Sequence, residues 1–125
     1  MNIEISRKYK RVDVFWYGWH VETAISKDKQ TWFKIEVPNI SSGGLMLKTN
    51  ILYTKGDTVW LNIYVNPKML QFHDIRFQAK AIVQSVREVP DGYAVGVDFT
   101  APQIYLDEVI TRLSVLYGDL EIYDI

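Results

Sequence analysis

The chain has 125 residues, of which 48% are hydrophobic and 23% charged, a composition and length typical of one soluble globular domain. Its 14 lysines and arginines nearly balance 15 acidic residues, and the net charge of −1 argues against a general binder of nucleic acids or anionic membranes. There is no cysteine, which excludes disulfides, thiolate zinc sites and cysteine nucleophiles.

The first half of the chain predicts three β-strands separated by polar turns. The strands are expected at Val12–Ala24, Trp32–Val37 and Leu45–Thr49. The first is the longest, and its aromatic residues lie on both faces. Turns are predicted at Ser26–Lys29 and Ser41–Gly44.

The second half shows strict alternation of apolar and polar residues, which places one side of each strand against a core. This pattern predicts strands at Asp57–Asn66, Ile75–Val83 and Tyr93–Phe99. Lys55-Gly56-Asp57 precedes the first of them as a turn. Between the last two strands, Pro90-Asp91-Gly92 contains Asp-Gly, the strongest hairpin signal in the chain.

After Phe99 the apolar spacing becomes helical. The residues in this pattern are Leu106, Val109, Ile110, Leu113, Leu116, Tyr117 and Leu120. We expect a helix over residues 102–118, with Thr100 to Gln103 as a capping box and Pro102 in the first turn. Residues 119–125 are expected to form a tail, which could also be a short strand or an interface.

Six short strands followed by one helix predict an all-β domain, a closed or nearly closed antiparallel barrel whose opening or edge the helix covers. We expect one domain over residues 1–125, with the barrel at 12–100 and a flexible arm at 1–11. No segment approaches the roughly 20 apolar residues that span a bilayer. The N-terminus also lacks a signal-peptide core, so a cytoplasmic protein with no membrane contact is expected.

A basic cluster, Arg7-Lys8-Tyr9-Lys10-Arg11, directly precedes the first strand. Guanidinium groups form paired, planar hydrogen bonds with phosphate oxygens and stack on bases, so the cluster suits a compact anion. Arg7 and Arg11 are four positions apart, and in a loop curved over a ligand both could face it. A solvated basic arm is the alternative.

A polar, glycine-containing segment, Asn39-Ile40-Ser41-Ser42-Gly43-Gly44, lies between two predicted strands. Asn39 and Ser41 carry short polar side chains that can hydrogen-bond a purine edge or close a turn. Gly43 and Gly44 permit positive φ and a close approach of backbone to ligand. An ordinary β-turn would use the same residue types.

Together and in this order the two segments resemble the signature of the PilZ family, Arg-x-x-x-Arg followed by Asp/Asn-x-Ser-x-x-Gly. Arg7 and Arg11 match the first element, and Asn39, Ser41 and Gly44 match the second. The strand Tyr93–Phe99 and the helix after it also resemble the end of the family's barrel, a six-stranded split barrel. The resemblance covers the chain from about Arg7 to Tyr117.

The resemblance implies that the protein binds the bacterial second messenger cyclic di-GMP and acts as a receptor or adaptor, typically in motility or biofilm regulation. It implies that Arg7 and Arg11 hold the phosphates and contact the guanines. Asn39 and Ser41 would hydrogen-bond a guanine, and Gly44 would keep the approach open. Lys8, Lys10 and Gly43 would support the site. An unidentified protein effector is the expected partner.

Other functions have weaker signals. His20 and His73 lack metal-ligand spacing, and Ser41 and Ser42 have no nucleophile elbow around them, so we expect no metal, no cofactor and no enzymatic activity. The alternative is a PilZ-like interaction module that does not bind the nucleotide. An oligonucleotide-binding barrel that stacks bases on the tryptophans is a further possibility, although the net charge opposes it and we expect no DNA or RNA partner.

Overall fold

The computed structural model describes residues 11–68 and 73–117, with side chains up to residue 113 in the helix. It contains seven β-strands and one α-helix. The strands are β1 (Val12–Asp13), β2 (His20–Ser26), β3 (Phe33–Ser41), β4 (Gly44–Thr49), β5 (Thr58–Asn66), β6 (Ile75–Val89) and β7 (Gly92–Phe99), and the helix is α1 (Ile104–Tyr117).

The strands form one antiparallel sheet that closes on itself. Its order is β1-β3-β2-β5-β6-β7-β4, and the additional pairing of β3 with β4 completes a ring of six strands, with β1 added beside β3. Closure removes the long unpaired edges that would otherwise pair with another chain. The prediction of a six-stranded antiparallel barrel is confirmed.

One row of paired residues shows how the alternating pattern fills the barrel. Across five neighbouring strands the register aligns residues that are all at most 1% exposed: Val12, Ile40, Leu45, Val97 and Val83. Because successive side chains of a strand point to opposite faces, the residues between them face outward. The interior is therefore packed with aliphatic side chains.

The segment Val12–Ala24, predicted as one strand, is two strands separated by a turn. Both β1 and β2 pair with β3, but residues 14–18 leave the sheet between them. The Asp13 carboxylate accepts a hydrogen bond from the Trp16 amide, and the Asp13 carbonyl accepts one from the Tyr17 amide. An acidic side chain that bonds backbone amides just beyond it stabilises a turn more than a strand, which explains why the prediction was wrong here.

Two strands extend further than predicted. The second predicted strand, Trp32–Val37, ends at Ser41 instead of Val37, and it passes through a bulge between Glu36 and Asn39 that contains Pro38, where a missing N–H is tolerated. Strand β6 continues to Val89 instead of Val83. At the β6–β7 hairpin the two loop residues are Pro90 and Asp91, while Gly92 already belongs to β7 at a φ of 141°.

Helix α1 begins at Ile104, two residues after the predicted start at Pro102. The Gln103 carbonyl accepts the first helical hydrogen bond, from the Asp107 amide, so Gln103 is the N-cap. The predicted capping box is wrong, because the Thr100 hydroxyl donates to the Lys80 carbonyl instead. The buried helical residues join the barrel core, as the periodicity predicted: Leu106, Val109, Ile110 and Leu113. The predicted tail, residues 119–125, lies outside the described residues.

Candidate functional site

The polar segment, predicted to contain a turn at Ser41–Gly44 between two strands, is a tight hairpin between β3 and β4. Asn39 and Ser41 belong to the end of β3, and Gly44 is the first residue of β4. Ser41 pairs directly with Gly44, so only Ser42 and Gly43 form the turn. Most of the motif therefore has strand geometry, which fixes the direction of its side chains.

Alternation along β3 places the motif's polar side chains on the outer face of the barrel. Ile40 is fully buried and faces the core, so Asn39 and Ser41 on either side of it face outward. They are nevertheless only 7% and 4% exposed. Buried polar groups require hydrogen-bond partners, and both side chains have them.

The Ser41 hydroxyl closes the turn. Its oxygen donates to the Gly44 carbonyl at 3.2 Å and accepts a hydrogen bond from the Gly43 amide, also at 3.2 Å. Serine hydroxyls commonly stabilise turns in this way. Without a ligand, Ser41 therefore has a structural role in the hairpin.

Gly44 is required by the close approach of strand β7. A Cβ added at this position would collide with the carbonyl oxygen of Val97. The φ of Gly44 is not in the positive region, so the backbone conformation expected from the sequence is not the reason for glycine here. The reason is the space between two paired strands.

Arg11 connects the two sequence motifs. Its Nη1 donates to the Asn39 Oδ1 at 3.1 Å across 28 positions of sequence. The register explains the contact, since Asp13 lies directly opposite Asn39 and Arg11 precedes Asp13 by two residues on the same face. The other basic residues of the cluster, Arg7, Lys8 and Lys10, lie outside the described residues.

The hairpin turn is also fixed to the start of helix α1, through contacts that the sequence did not predict. Ser42 is 1% exposed, and its hydroxyl donates to the Asp107 carboxylate at 3.3 Å. The Ser42 carbonyl accepts the Gln103 amide at 2.8 Å, and the Gly43 carbonyl accepts the Phe99 amide at 2.8 Å. Ser42 and Asp107 are 65 positions apart, and no local pattern pairs them.

No group of three or more acidic, histidine or cysteine side chains suited to a metal ion occurs within residues 11–68 and 73–117. His20 contacts Glu22 at 2.7 Å on the exposed face of β2. Within the described part of the chain, no helix is both long and apolar enough to cross a membrane.

The fold and the site define a small closed barrel with a filled interior, whose polar hairpin and attached arginine lie on the outer surface. Comparison with known families gives the same class. The model of the PilZ domain matches residues 5–115, and the chain belongs to the PilZ domain family.

Three solved structures are similar in fold. The inhibitor of motility MotI/DgrA of Bacillus subtilis has a TM-score of 0.70 and 18% identity, over 90% of this chain and 53% of that one. The complex of K. pneumonia MrkH with c-di-GMP has a TM-score of 0.62 and 13% identity, over 91% and 55%. The PilZ domain of Escherichia coli YcgR with c-di-GMP has a TM-score of 0.55 and 20% identity, over 88% and 92%.

This chain thus spans about half the length of the first two structures, 53% and 55% of them. Among curated proteins, none matches the sequence significantly.

Proposed function

We propose that this protein is a receptor for cyclic di-GMP that acts by binding, without a chemical reaction. The observation that carries this proposal is the hydrogen bond from Arg11 to Asn39, which joins the Arg-x-x-x-Arg segment to the polar hairpin. Membership of the PilZ family and the presence of c-di-GMP in two similar structures support it.

The chemistry of the site suits the ligand. Cyclic di-GMP carries two phosphodiester charges and two flat guanines. An arginine side chain can both hydrogen-bond a phosphate and stack on a guanine. Arg7 and Arg11 hold the phosphates and contact the guanines. Asn39 and Ser41 hydrogen-bond a guanine from the outer face, and Gly44 keeps a side chain from blocking it. Lys8, Lys10 and Gly43 support the site.

Binding draws the arm of residues 1–11 onto the barrel and so changes the surface that a protein effector meets. Such a change requires no catalytic group. The Bacillus subtilis neighbour is described as an inhibitor of motility, which favours motility or biofilm control as the regulated process.

Calorimetric titration with cyclic di-GMP tests the proposal. Wild-type protein should bind it, and should bind GTP and the linear dinucleotide much more weakly. Arg7→Ala and Arg11→Ala should each weaken binding at least about tenfold, because a lost charge-assisted hydrogen bond costs about 1.5–3 kcal/mol.

Arg87→Ala is the matched control, since Arg87 is an exposed arginine on β6 that pairs in register with Ala94, away from the β3–β4 turn. This variant should bind like wild type. Unchanged affinity in both the Arg7 and Arg11 variants would remove these arginines from the site.

The rival function, a PilZ-fold interaction module that does not bind the nucleotide, has one observation in its favour. Phe15 and Trp16 are 91% and 77% exposed at the turn after β1, and such large apolar side chains favour protein contacts. The same titration separates the two functions: wild-type protein that gives no heat with cyclic di-GMP would support the interaction module.

A further inference from the structure

The turn of the motif hairpin and the start of helix α1 form one hydrogen-bonded unit, which we call the hairpin–helix joint. It consists of Ser42 and Gly43 in the turn, Phe99 at the end of β7, and Gln103 and Asp107 at the helix start. Four bonds hold it: Phe99 to Gly43 at 2.8 Å, Gln103 to Ser42 at 2.8 Å, Ser42 to Asp107 at 3.3 Å, and Asp107 to Gln103 at 3.0 Å.

On the helix side, the joint acts where the helix begins. Gln103 donates its amide to the Ser42 carbonyl and offers its own carbonyl to the first helical amide. Asp107 accepts the Ser42 hydroxyl and lies in the first turn, where a negative charge is favourable near the helix N-terminus. A shift of Ser42 therefore acts on the residues that initiate the helix.

On the motif side, no flexible residue separates the joint from the proposed ligand contacts. Ser41 directly precedes Ser42, and its hydroxyl is bonded to both the Gly43 amide and the Gly44 carbonyl. A two-residue turn between paired strands has few alternative backbone conformations. Ser42 is 1% exposed, so water has little access to its own polar atoms.

We propose that helix α1 is the element that transmits the ligand state of the hairpin, with Ser42 and Asp107 as the coupling residues. This inference rests on the proposed binding of cyclic di-GMP at Asn39 and Ser41. A ligand that fixes these side chains also fixes the turn, and thereby strengthens the first turn of the helix. Ile104 and Tyr105, 78% and 41% exposed, lie in that first turn, so the change alters an accessible apolar surface.

The coupling is reciprocal, so it can be measured either as a change in the helix or as a change in ligand affinity. If bound ligand raises the equilibrium constant for forming the helix start by a given factor, the formed helix start must raise the affinity for the ligand by the same factor. For typical coupled sites this factor is at least about fivefold. A variant that breaks the joint should therefore lose protection of the helix and bind the ligand more weakly by a similar factor.

Hydrogen exchange of residues 103–113, measured by mass spectrometry with and without saturating cyclic di-GMP, tests the proposal. In the wild type, the ligand should slow exchange in this segment at least about fivefold. Ser42→Ala and Asp107→Ala each remove the Ser42–Asp107 bond and leave the backbone bonds of the joint in place, so each should lose part of this slowing while far-UV circular dichroism shows the helix retained. The double variant should be no worse than either single one, because all three lack the same bond.

Glu108→Gln is the matched control, since Glu108 is an exposed acid in the same helical turn. It should retain both the slowed exchange and the affinity. Ligand binding that leaves the helix unprotected in the wild type, or protects it equally in Ser42→Ala and Asp107→Ala, would overturn the coupling alone. A wild-type protein that binds no cyclic di-GMP would overturn the proposed function, and the coupling with it.

Discussion

At the scale of single residues, the motif hairpin serves the fold as well as the proposed ligand. The Ser41 hydroxyl closes the turn, and Gly44 makes room for the Val97 carbonyl. These two residues would be needed in a hairpin that bound nothing. The observation on which the proposed ligand site rests is the hydrogen bond from Arg11 to Asn39, because it joins the two motif segments.

Gly44→Ala should destabilise the protein by about 1–3 kcal/mol, because the added methyl group meets a backbone carbonyl that cannot move without opening the β4–β7 pairing. Urea unfolding measures this change in the free energy of unfolding. Gly96→Ala is the control. Its methyl group meets the Ser85 hydroxyl at 2.7 Å, and that hydroxyl can rotate or be removed by Ser85→Ala. Equal losses in the Gly44 and Gly96 variants would contradict the backbone argument.

Residue types and spacing were sufficient to identify the hairpin residues Asn39, Ser41 and Gly44 as a candidate motif, but not their contacts. The bond from Ser42 to Asp107 joins positions 65 apart and depends on where the helix meets the closed barrel. Local patterns contain no information about such a pairing. The reason for Gly44 was likewise missed, since it depends on strand β7, far along the chain.

At the scale of elements, two connections between strands are stabilised by carboxylates that accept hydrogen bonds from nearby backbone amides. The β2–β3 connection is an example. The Asp28 carboxylate accepts hydrogen bonds from the amides of Gln30 and Thr31, at 2.8 and 2.9 Å, and from the Ser26 hydroxyl at 3.0 Å. The turn after β1 uses Asp13 in the same way, which is why a run rich in strand-forming residues is broken there.

The Asp28 interactions predict an acid-sensitive loop. Hydrogen bonds from Thr31, Gln30 and Ser26 hold the pKa of Asp28 below its ordinary value. Because the folded-state pKa is lowered, this stabilisation is complete above the unfolded-state pKa of about 4 and is lost as the pH falls through the folded-state pKa. Asp28→Asn should therefore reduce the loss of stability between pH 7 and pH 3, measured by urea unfolding at each pH.

Gln30→Ala is the control for the loop, because only the backbone amide of Gln30 bonds Asp28. This variant should keep the wild-type pH dependence. An unchanged pH dependence in Asp28→Asn would show that the loop carboxylate does not contribute to acid stability.

At the scale of the whole molecule, the period-two pattern predicted the barrel because each strand has one apolar face that must be buried. Strands β5 and β7 were predicted closely for this reason, whereas β6 was predicted six residues too short at its end. The helix was predicted from its separate 3.6-residue spacing. Two pairings complete the ring, β2 with β5 and β4 with β7, and both join strands that are not neighbours in the chain. Neither strand pairing is visible in the pattern, because alternation specifies a buried face and not the neighbouring strand.

A closed ring with a continuous core should unfold as a single cooperative unit. Leu61 is fully buried on β5, and Leu61→Ala should lower the free energy of unfolding by about 2–5 kcal/mol, since it leaves a cavity inside the barrel. Leu52→Ala removes the same atoms from a side chain that is 62% exposed and should change stability by less than about 0.5 kcal/mol.

For Leu61→Ala, tryptophan fluorescence and far-UV circular dichroism should give the same midpoint, because Trp19 in the core and the strands report one transition. Separate midpoints would mean that part of the ring opens on its own.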